Sequence, residues 1–84
     1  MEKKIKTENP AVYAIARTKR TIDKNNNEYW EGKATFYSNG HKTFSESSCI
    51  TRISEIDAMK DAEGIANRVF DTSRTVNKKL REGA

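Results

Sequence analysis

The chain has 84 residues, of which 33% are charged and 35% hydrophobic, and its formal net charge is +4. This length allows one small domain of two packed layers and excludes a large cofactor-binding fold, so no cofactor is expected. A single cysteine, Cys49, and a single histidine, His41, exclude an internal disulfide and a zinc site made from several such ligands. The modest basic excess permits an anionic partner without requiring one.

The first ten residues, MEKKIKTENP, carry three lysines and, apart from Met1, one apolar residue before the proline. This composition predicts a flexible basic arm over residues 1–10. The segment lacks the apolar central run of a secretory signal, and no other segment approaches the roughly 20 apolar residues of a membrane span. We therefore expect a cytoplasmic protein with no membrane partner.

Two stretches that alternate in hydrophobicity follow, over residues 11–22 and 28–38, and the turn-forming segment DKNNN separates them. The pattern predicts a β-hairpin. In the second strand, one side carries two large aromatic residues with two small residues between them, which indicates the core side and a shallow trough for a helix. These residues are Trp30, Gly32, Ala34 and Phe36.

An Asn-Gly pair after the second strand predicts a second hairpin, with two alternatives for its loop. A two-residue turn places Phe44 opposite Thr35 on the polar face, whereas a three-residue Ser-Asn-Gly loop pairs Phe44 with Ala34. We favour the second, because three large aromatic residues then share one core. They are Trp30, Phe36 and Phe44, and truncation of Trp30 to alanine is expected to cost about 3–5 kcal/mol.

The segment 54–70, SEIDAMKDAEGIANRVF, has the start signal and the periodicity of an amphipathic helix. Its apolar residues recur at steps of three and four and predict the face that contacts the sheet. They are Ile56, Met59, Ala62, Ile65, Ala66, Val69 and Phe70. Ile50 and Ile53, in the short extended connection before it, are expected to anchor the start of the helix, and Gly64 is expected to have no role.

Together these elements predict an α+β fold, in which a helix covers one face of a three-stranded antiparallel sheet. A short fourth strand is the alternative. The predicted organisation is a single β-β-β-α domain over residues 11–70 and a basic extension over residues 71–84, helical or frayed.

Three surfaces are candidates for binding. The first is the outer sheet face, where aromatic and basic side chains project together as in surfaces that bind phosphates and bases. Its residues are Arg17, Lys19, Tyr29, Lys33 and Tyr37. An ordinary solvated sheet face is the alternative interpretation.

The second candidate is the basic C-terminal extension, with Arg74, Lys78, Lys79 and Arg81, and the third is the acidic start of the helix, with Glu55, Asp57, Asp61 and Glu63. For both, simple solvation of a charged surface is the favoured interpretation. If the outer face is the working surface, reversing Lys19 and Lys33 weakens binding and reversing Lys78 and Arg81 does little.

Residues for catalysis are not arranged in any known motif. His41 has serines nearby at positions 45, 47 and 48, but no acid is placed to orient it and the serines lie on a strand end. We therefore expect a binding protein and not an enzyme, with no metal site.

The predicted plan of strands YAIARTKRTI, YWEGKATFYSNG and HKTF followed by the helix SEIDAMKDAEGIANRV resembles two groups of small DNA-binding domains. These are the domains of plant ethylene-response factors and the arm-binding domains of phage integrases. The resemblance implies that sheet side chains enter the major groove of double-stranded DNA. The matching positions by face are Arg17, Lys19, Tyr29 and Lys33.

The whole chain is also similar, in size, sharp hairpin and lack of catalytic residues, to the single-domain proteins by which phages disable host defence, including anti-CRISPR proteins. This second resemblance implies a phage or mobile-element accessory protein that docks on a host protein or protein–nucleic acid complex and inhibits it. It is the leading functional prediction, and direct binding of double-stranded DNA is the alternative.

Overall fold

The computed structural model describes residues 1–82, and it describes the side chains of residues 1–71. Four antiparallel strands in the order β1-β2-β3-β4 form one sheet, and a single C-terminal helix packs on one face, which confirms the predicted α+β fold. The elements are β1 (Glu2–Lys6), β2 (Val12–Ile22), β3 (Glu28–Ser38), β4 (His41–Arg52) and α1 (Glu55–Glu82).

Strand β1 corrects the prediction of a flexible arm over residues 1–10. Glu2–Lys6 pairs with β2, from Glu2 opposite Arg17 to Lys6 opposite Tyr13. Its inward apolar side chain, Ile5, packs against both buried clusters and so joins this edge strand to the core. One apolar residue between two lysines is a weak alternation signal, and the prediction of an arm did not use it.

The turn between β1 and β2 is built from side-chain hydrogen bonds to the backbone. The Thr7 hydroxyl donates to the Val12 carbonyl at 2.8 Å, and the Asn9 side-chain oxygen accepts from the Ala11 N–H at 3.0 Å. Such Asx and Ser/Thr turns reverse the chain without a long loop. They direct β1 back along β2 as the fourth strand.

The second hairpin has the two-residue loop of the first alternative, and not the three-residue loop that we favoured. The turn has two residues, with Ser38 opposite His41 and positive φ at Asn39 (53°) and Gly40 (80°), as the hairpin turn preferred by Asn-Gly requires. A register shift directly after it then places Phe44 opposite Phe36. The extra residue of this bulge returns Phe44 to the helix side of the sheet, where the favoured alternative also placed it, but opposite Phe36 and not Ala34.

Strand β4 is longer than the predicted third strand, since it continues to Arg52 through a second register shift opposite residues 31–33. Cys49 lies in this irregular stretch with a φ of 58°. The expectation that Ile50 and Ile53 anchor the helix is wrong, because their side chains are 50% and 86% exposed. The first hydrogen bond of the helix runs from the Ala58 N–H to the Ser54 carbonyl at 3.2 Å.

The core between sheet and helix is made mainly of small residues. Ala14, Ala16 and Ala34 of the sheet are fully buried against Ala62 and Ala66 of the helix. At Gly32 the approach is closest, since a methyl group added there would lie 2.2 Å from the Ala58 carbonyl oxygen and 2.8 Å from the Ala62 nitrogen. The trough predicted from the sequence is therefore occupied by the backbone of α1.

The aromatic part of the core differs from the prediction. Phe36 is buried and stacks on Phe44 with ring centroids 4.4 Å apart, while Phe70 meets it edge-on at 5.5 Å. Trp30 belongs to neither buried cluster and is half-buried beside the start of the helix. Ile56, predicted to face the core, is 59% exposed, because the Ala-rich contact is narrow and Ile56 lies beyond its edge.

Helix α1 continues through Phe70 to Glu82, so the predicted extension takes its helical alternative as far as Glu82. The predicted binding residues Arg74, Lys78, Lys79 and Arg81 fall on this continuation. Their side chains lie outside the described residues.

Candidate functional site

The sheet face away from α1, which we call the outer face, contains all five residues of the first predicted site. Strand pairing fixes this, because Arg17 lies opposite Lys33, Tyr37 opposite Tyr13, and Tyr29 opposite Thr21, each on the face that the Ala-rich core does not use. Lys19 lies opposite Glu31 on the same face. Arg17, Lys19 and Lys33 are exposed, whereas Tyr37 is half-buried and Tyr29 is also partly covered.

Strands β1 and β4 add three cations that sequence reasoning missed. The register places Lys4 opposite Ile15, Lys6 opposite Tyr13, and Lys42 opposite Tyr37. Lys4 and Lys6 were missed because the sequence predicts an arm in place of β1. Their alternation with Ile5 is the one signal that could have placed them on the outer face.

The outer face is electropositive among the described residues. It carries six cations and two carboxylates. The cations are Lys4, Lys6, Arg17, Lys19, Lys33 and Lys42, and the carboxylates are Glu2 and Glu31. Glu2 binds the Arg17 guanidinium at 3.0 Å, and Glu31 accepts a hydrogen bond from the Ser47 hydroxyl. Both carboxylates therefore already have partners within the chain.

Two tyrosine rings and one lysine are stacked on the outer face. The Tyr13 and Tyr37 rings stack with their centroids 5.1 Å apart, and the Lys4 ammonium lies 4.2 Å from the centroid of Tyr13. Because Lys4 approaches from β1 and Tyr37 from β3, both faces of the Tyr13 ring are occupied. Tyr13 is thus not available to stack on a base, and the cations dominate what the outer face offers to a partner.

Carboxylates at the acidic start of the helix, the third candidate surface, form ion pairs within the chain. Asp61 accepts two hydrogen bonds from the Arg52 guanidinium, at 2.7 and 3.1 Å, and Glu63 binds Lys3 at 3.3 Å. The hydrogen bonds to Asp61 raise the pKa of Arg52. Arg52 is on β4 and Lys3 on β1, so these pairs fasten α1 to both edge strands. They leave little of this acidic surface for a basic partner.

Residues considered for nucleophilic chemistry are not assembled into one site. His41 is exposed at the tip of the second hairpin, whereas Ser47 donates to Glu31 and Ser48 donates to the Ile50 carbonyl. Within the part of the chain that the structure describes, three or more potential metal ligands do not cluster. An open cleft of about 380 Å³ near Phe44 and Phe70 is lined by apolar and neutral polar groups together with Glu8.

Comparison with protein-family models, with curated proteins and with solved structures gave no match for this chain. Helix α1 over its described residues does not combine the length and hydrophobicity needed to cross a bilayer. Inference about function therefore rests on the outer face itself.

Proposed function

We propose that the chain is a small, non-catalytic binding protein that uses its outer face to hold the phosphate backbone of double-stranded nucleic acid. The observation that supports this is the six-to-two excess of cations over carboxylates on that face, where Glu2 is paired with Arg17 and Glu31 accepts a hydrogen bond from Ser47. Contacts with phosphates supply most of the affinity in such complexes and release condensed counterions.

The fourth strand determines how such a face meets a duplex. Four strands spaced about 4.8 Å apart are about 14 Å across from first to last, which exceeds the major-groove width of about 12 Å. A groove of that width accepts a two-stranded ribbon, so this sheet bridges the groove and its cations meet the phosphates on either side. We therefore expect binding with weak sequence preference, in contrast to the base reading that the three-stranded resemblance implied.

A second candidate keeps the leading prediction from sequence, an inhibitor that docks on a host protein of a nucleic-acid-handling or defence complex, as phage accessory proteins do. One observation favours it. Signs alternate in the middle of the outer face, where Lys19 lies opposite Glu31 and Glu31 is followed on the same side by Lys33. Mixed charges of this kind suit a protein surface better than a uniform row of phosphates.

Fluorescence anisotropy with labelled random-sequence duplex DNA tests the first proposal. If about four phosphates are neutralised, the affinity falls roughly 100-fold between 50 and 200 mM salt, with a linear log–log dependence. Reversal of Lys19 and Lys33 to glutamate is expected to weaken binding by more than about tenfold, or 1.4 kcal/mol.

The matched control is the reversal of Lys60 and Arg68, which changes the charge equally on exposed positions of α1. This control is expected to weaken binding less than the outer-face reversal does. The unfolding free energy of each variant is expected to lie within about 0.5 kcal/mol of that of the original chain. Absence of any complex at low salt would reject duplex binding. Capture of a protein from nuclease-treated lysate, lost in the Lys19 and Lys33 reversal, would then support the second candidate.

A further inference from the structure

The cleft near Phe44 and Phe70 lies where several elements of the fold meet. The turn after β1, the start of β2, the end of β3, the start of β4 and residues Val69 and Phe70 of α1 line it. Its volume of about 380 Å³ is at the lower end of the range for small-molecule sites, so it suits a small ligand. None of the six cations counted on the outer face lines this cleft.

Three phenylalanines line the cleft, and direct ring contacts join them. Phe36 stacks on Phe44 with the centroids 4.4 Å apart, and Phe70 meets Phe36 edge-on at 5.5 Å. Phe44 remains 48% exposed although Phe36 covers one face of its ring. A ligand in the cleft can therefore reach an aromatic surface, and the faces of aromatic rings attract organic cations.

Three neutral polar side chains along the cleft are already bonded within the chain. The Thr7 hydroxyl donates to the Val12 carbonyl at 2.8 Å, and the Thr43 hydroxyl donates to the Phe36 carbonyl at 3.1 Å. The side-chain oxygen of Asn9 accepts a backbone N–H at 3.0 Å. These groups therefore offer little to a ligand that depends on many hydrogen bonds.

Glu8 is the one charged side chain among the described residues that line the cleft. It is exposed, and it forms no ion pair within residues 1–71. A carboxylate without an internal cation, beside aromatic rings, is complementary to a positively charged ligand and repels an anion such as phosphate. The cleft therefore has the opposite charge preference to the outer face.

We propose that this cleft binds a small organic cation that carries a trimethylammonium group. A bare ammonium is a compact, strongly hydrated charge, whereas methyl groups surround the charge with an apolar surface that can contact the phenylalanine rings. Glu8 balances the positive charge at the edge of the cleft. This site is separate from the surface proposed for nucleic acid.

The test compares choline with its neutral analogue dimethylbutanol, in which a tert-butyl group takes the place of the trimethylammonium group. Backbone amide chemical shifts of the full chain are followed by NMR as each compound is added, and sodium chloride keeps the ionic strength constant. We expect choline to bind at least about fivefold more tightly than the alcohol. The shifts are expected to concentrate at residues 7–9, Phe44 and Phe70.

Two substitutions separate the contributions of the ring and the carboxylate. Phe44→Leu keeps an apolar side chain but removes the ring, so it is expected to bring the affinity for choline close to that for the alcohol. Glu8→Gln is expected to weaken choline binding about threefold and to leave binding of the alcohol unchanged. Circular dichroism shows whether each variant is folded.

The matched control is Asp57→Asn, which removes one exposed carboxylate at the start of α1, away from the cleft. It is expected to leave both affinities unchanged. Equal affinities for choline and the alcohol in the original chain would overturn the proposal, as would the absence of choline-dependent shifts at the cleft. So would an equal loss of choline affinity in Glu8→Gln and Asp57→Asn.

Discussion

The two faces of this sheet carry different kinds of side chains on the same strands. On the helix side, Ala14, Ala16 and Ala34 are fully buried and Gly32 lies under the helix backbone. On the outer face, Thr35 is buried, while most of the other side chains of β2 and β3 are charged or aromatic and at least partly exposed. Strand alternation separates the two sets, residue by residue.

The difference shows what each face can tolerate. A close helix–sheet contact leaves no room for added atoms, so the helix side depends on the size of each side chain. Within residues 1–82 the packed helix covers the other face and not the outer face, so outer-face side chains can change with small effects on folding. Substitutions on the helix side should therefore change stability, whereas substitutions on the outer face should change binding and leave stability nearly unchanged.

The largest expected effect is the truncation of Phe36 to alanine. Phe36 is 3% exposed and contacts both Phe44 and Phe70, so its loss is expected to cost about 3–5 kcal/mol of unfolding free energy. Trp30→Ala is expected to cost less than Phe36→Ala, since Trp30 belongs to neither buried cluster. Urea unfolding followed by circular dichroism measures both. A Trp30 variant as damaging as the Phe36 variant would show that Trp30 belongs to the core after all.

The next effect is a single methyl group at Gly32. Gly32→Ala places a carbon against the Ala58 carbonyl and forces the helix away from the sheet, at an expected cost of about 1–3 kcal/mol. Gly64 is the matched control within the same chain, because nothing lies within 4 Å of a methyl group added there. Gly64→Ala is expected to stabilise the protein by up to about 1 kcal/mol through helix propensity. Two alanine substitutions with the same sign would contradict the close contact at Gly32.

The smallest effect lies outside both faces, in the loop between β2 and β3. The backbone N–H of Asn27, aided by that of Asn25, donates to the Asp23 carboxylate and holds its pKa below the ordinary value. A pKa lowered by folding means that the carboxylate stabilises the protein above its unfolded pKa and loses this contribution as pH falls through the folded pKa.

Replacement of Asp23 by alanine is therefore expected to lower the melting temperature slightly at neutral pH, with a difference that shrinks in acid. Asp23→Asn keeps a hydrogen-bond acceptor but cannot titrate, so its difference from the alanine variant is expected to stay constant with pH. Thermal melts across the acid range check this. If the difference in melting temperature between the original chain and the alanine variant does not change with pH, titration of Asp23 does not contribute to stability.

Local patterns in the sequence determined the helix start near Ser54, the two hairpins, the core side of β3 and the outer-face position of Arg17 and Lys33. Each of these follows from alternation, helical spacing or turn chemistry over a few residues, which the chain carries wherever it folds. The Gly32 trough was also visible, because small residues between aromatic ones leave a gap on any sheet.

Tertiary structure alone decided the remaining features. Strand β1 exists because β2 offers it an edge and the core accepts Ile5, and the register of Phe44 depends on a bulge that a turn signal does not encode. The contact between helix and sheet is made by alanine and glycine and does not extend to Ile53 and Ile56, so these two side chains are exposed. Such outcomes depend on contacts between distant segments, and hydrophobic spacing within one segment cannot specify them.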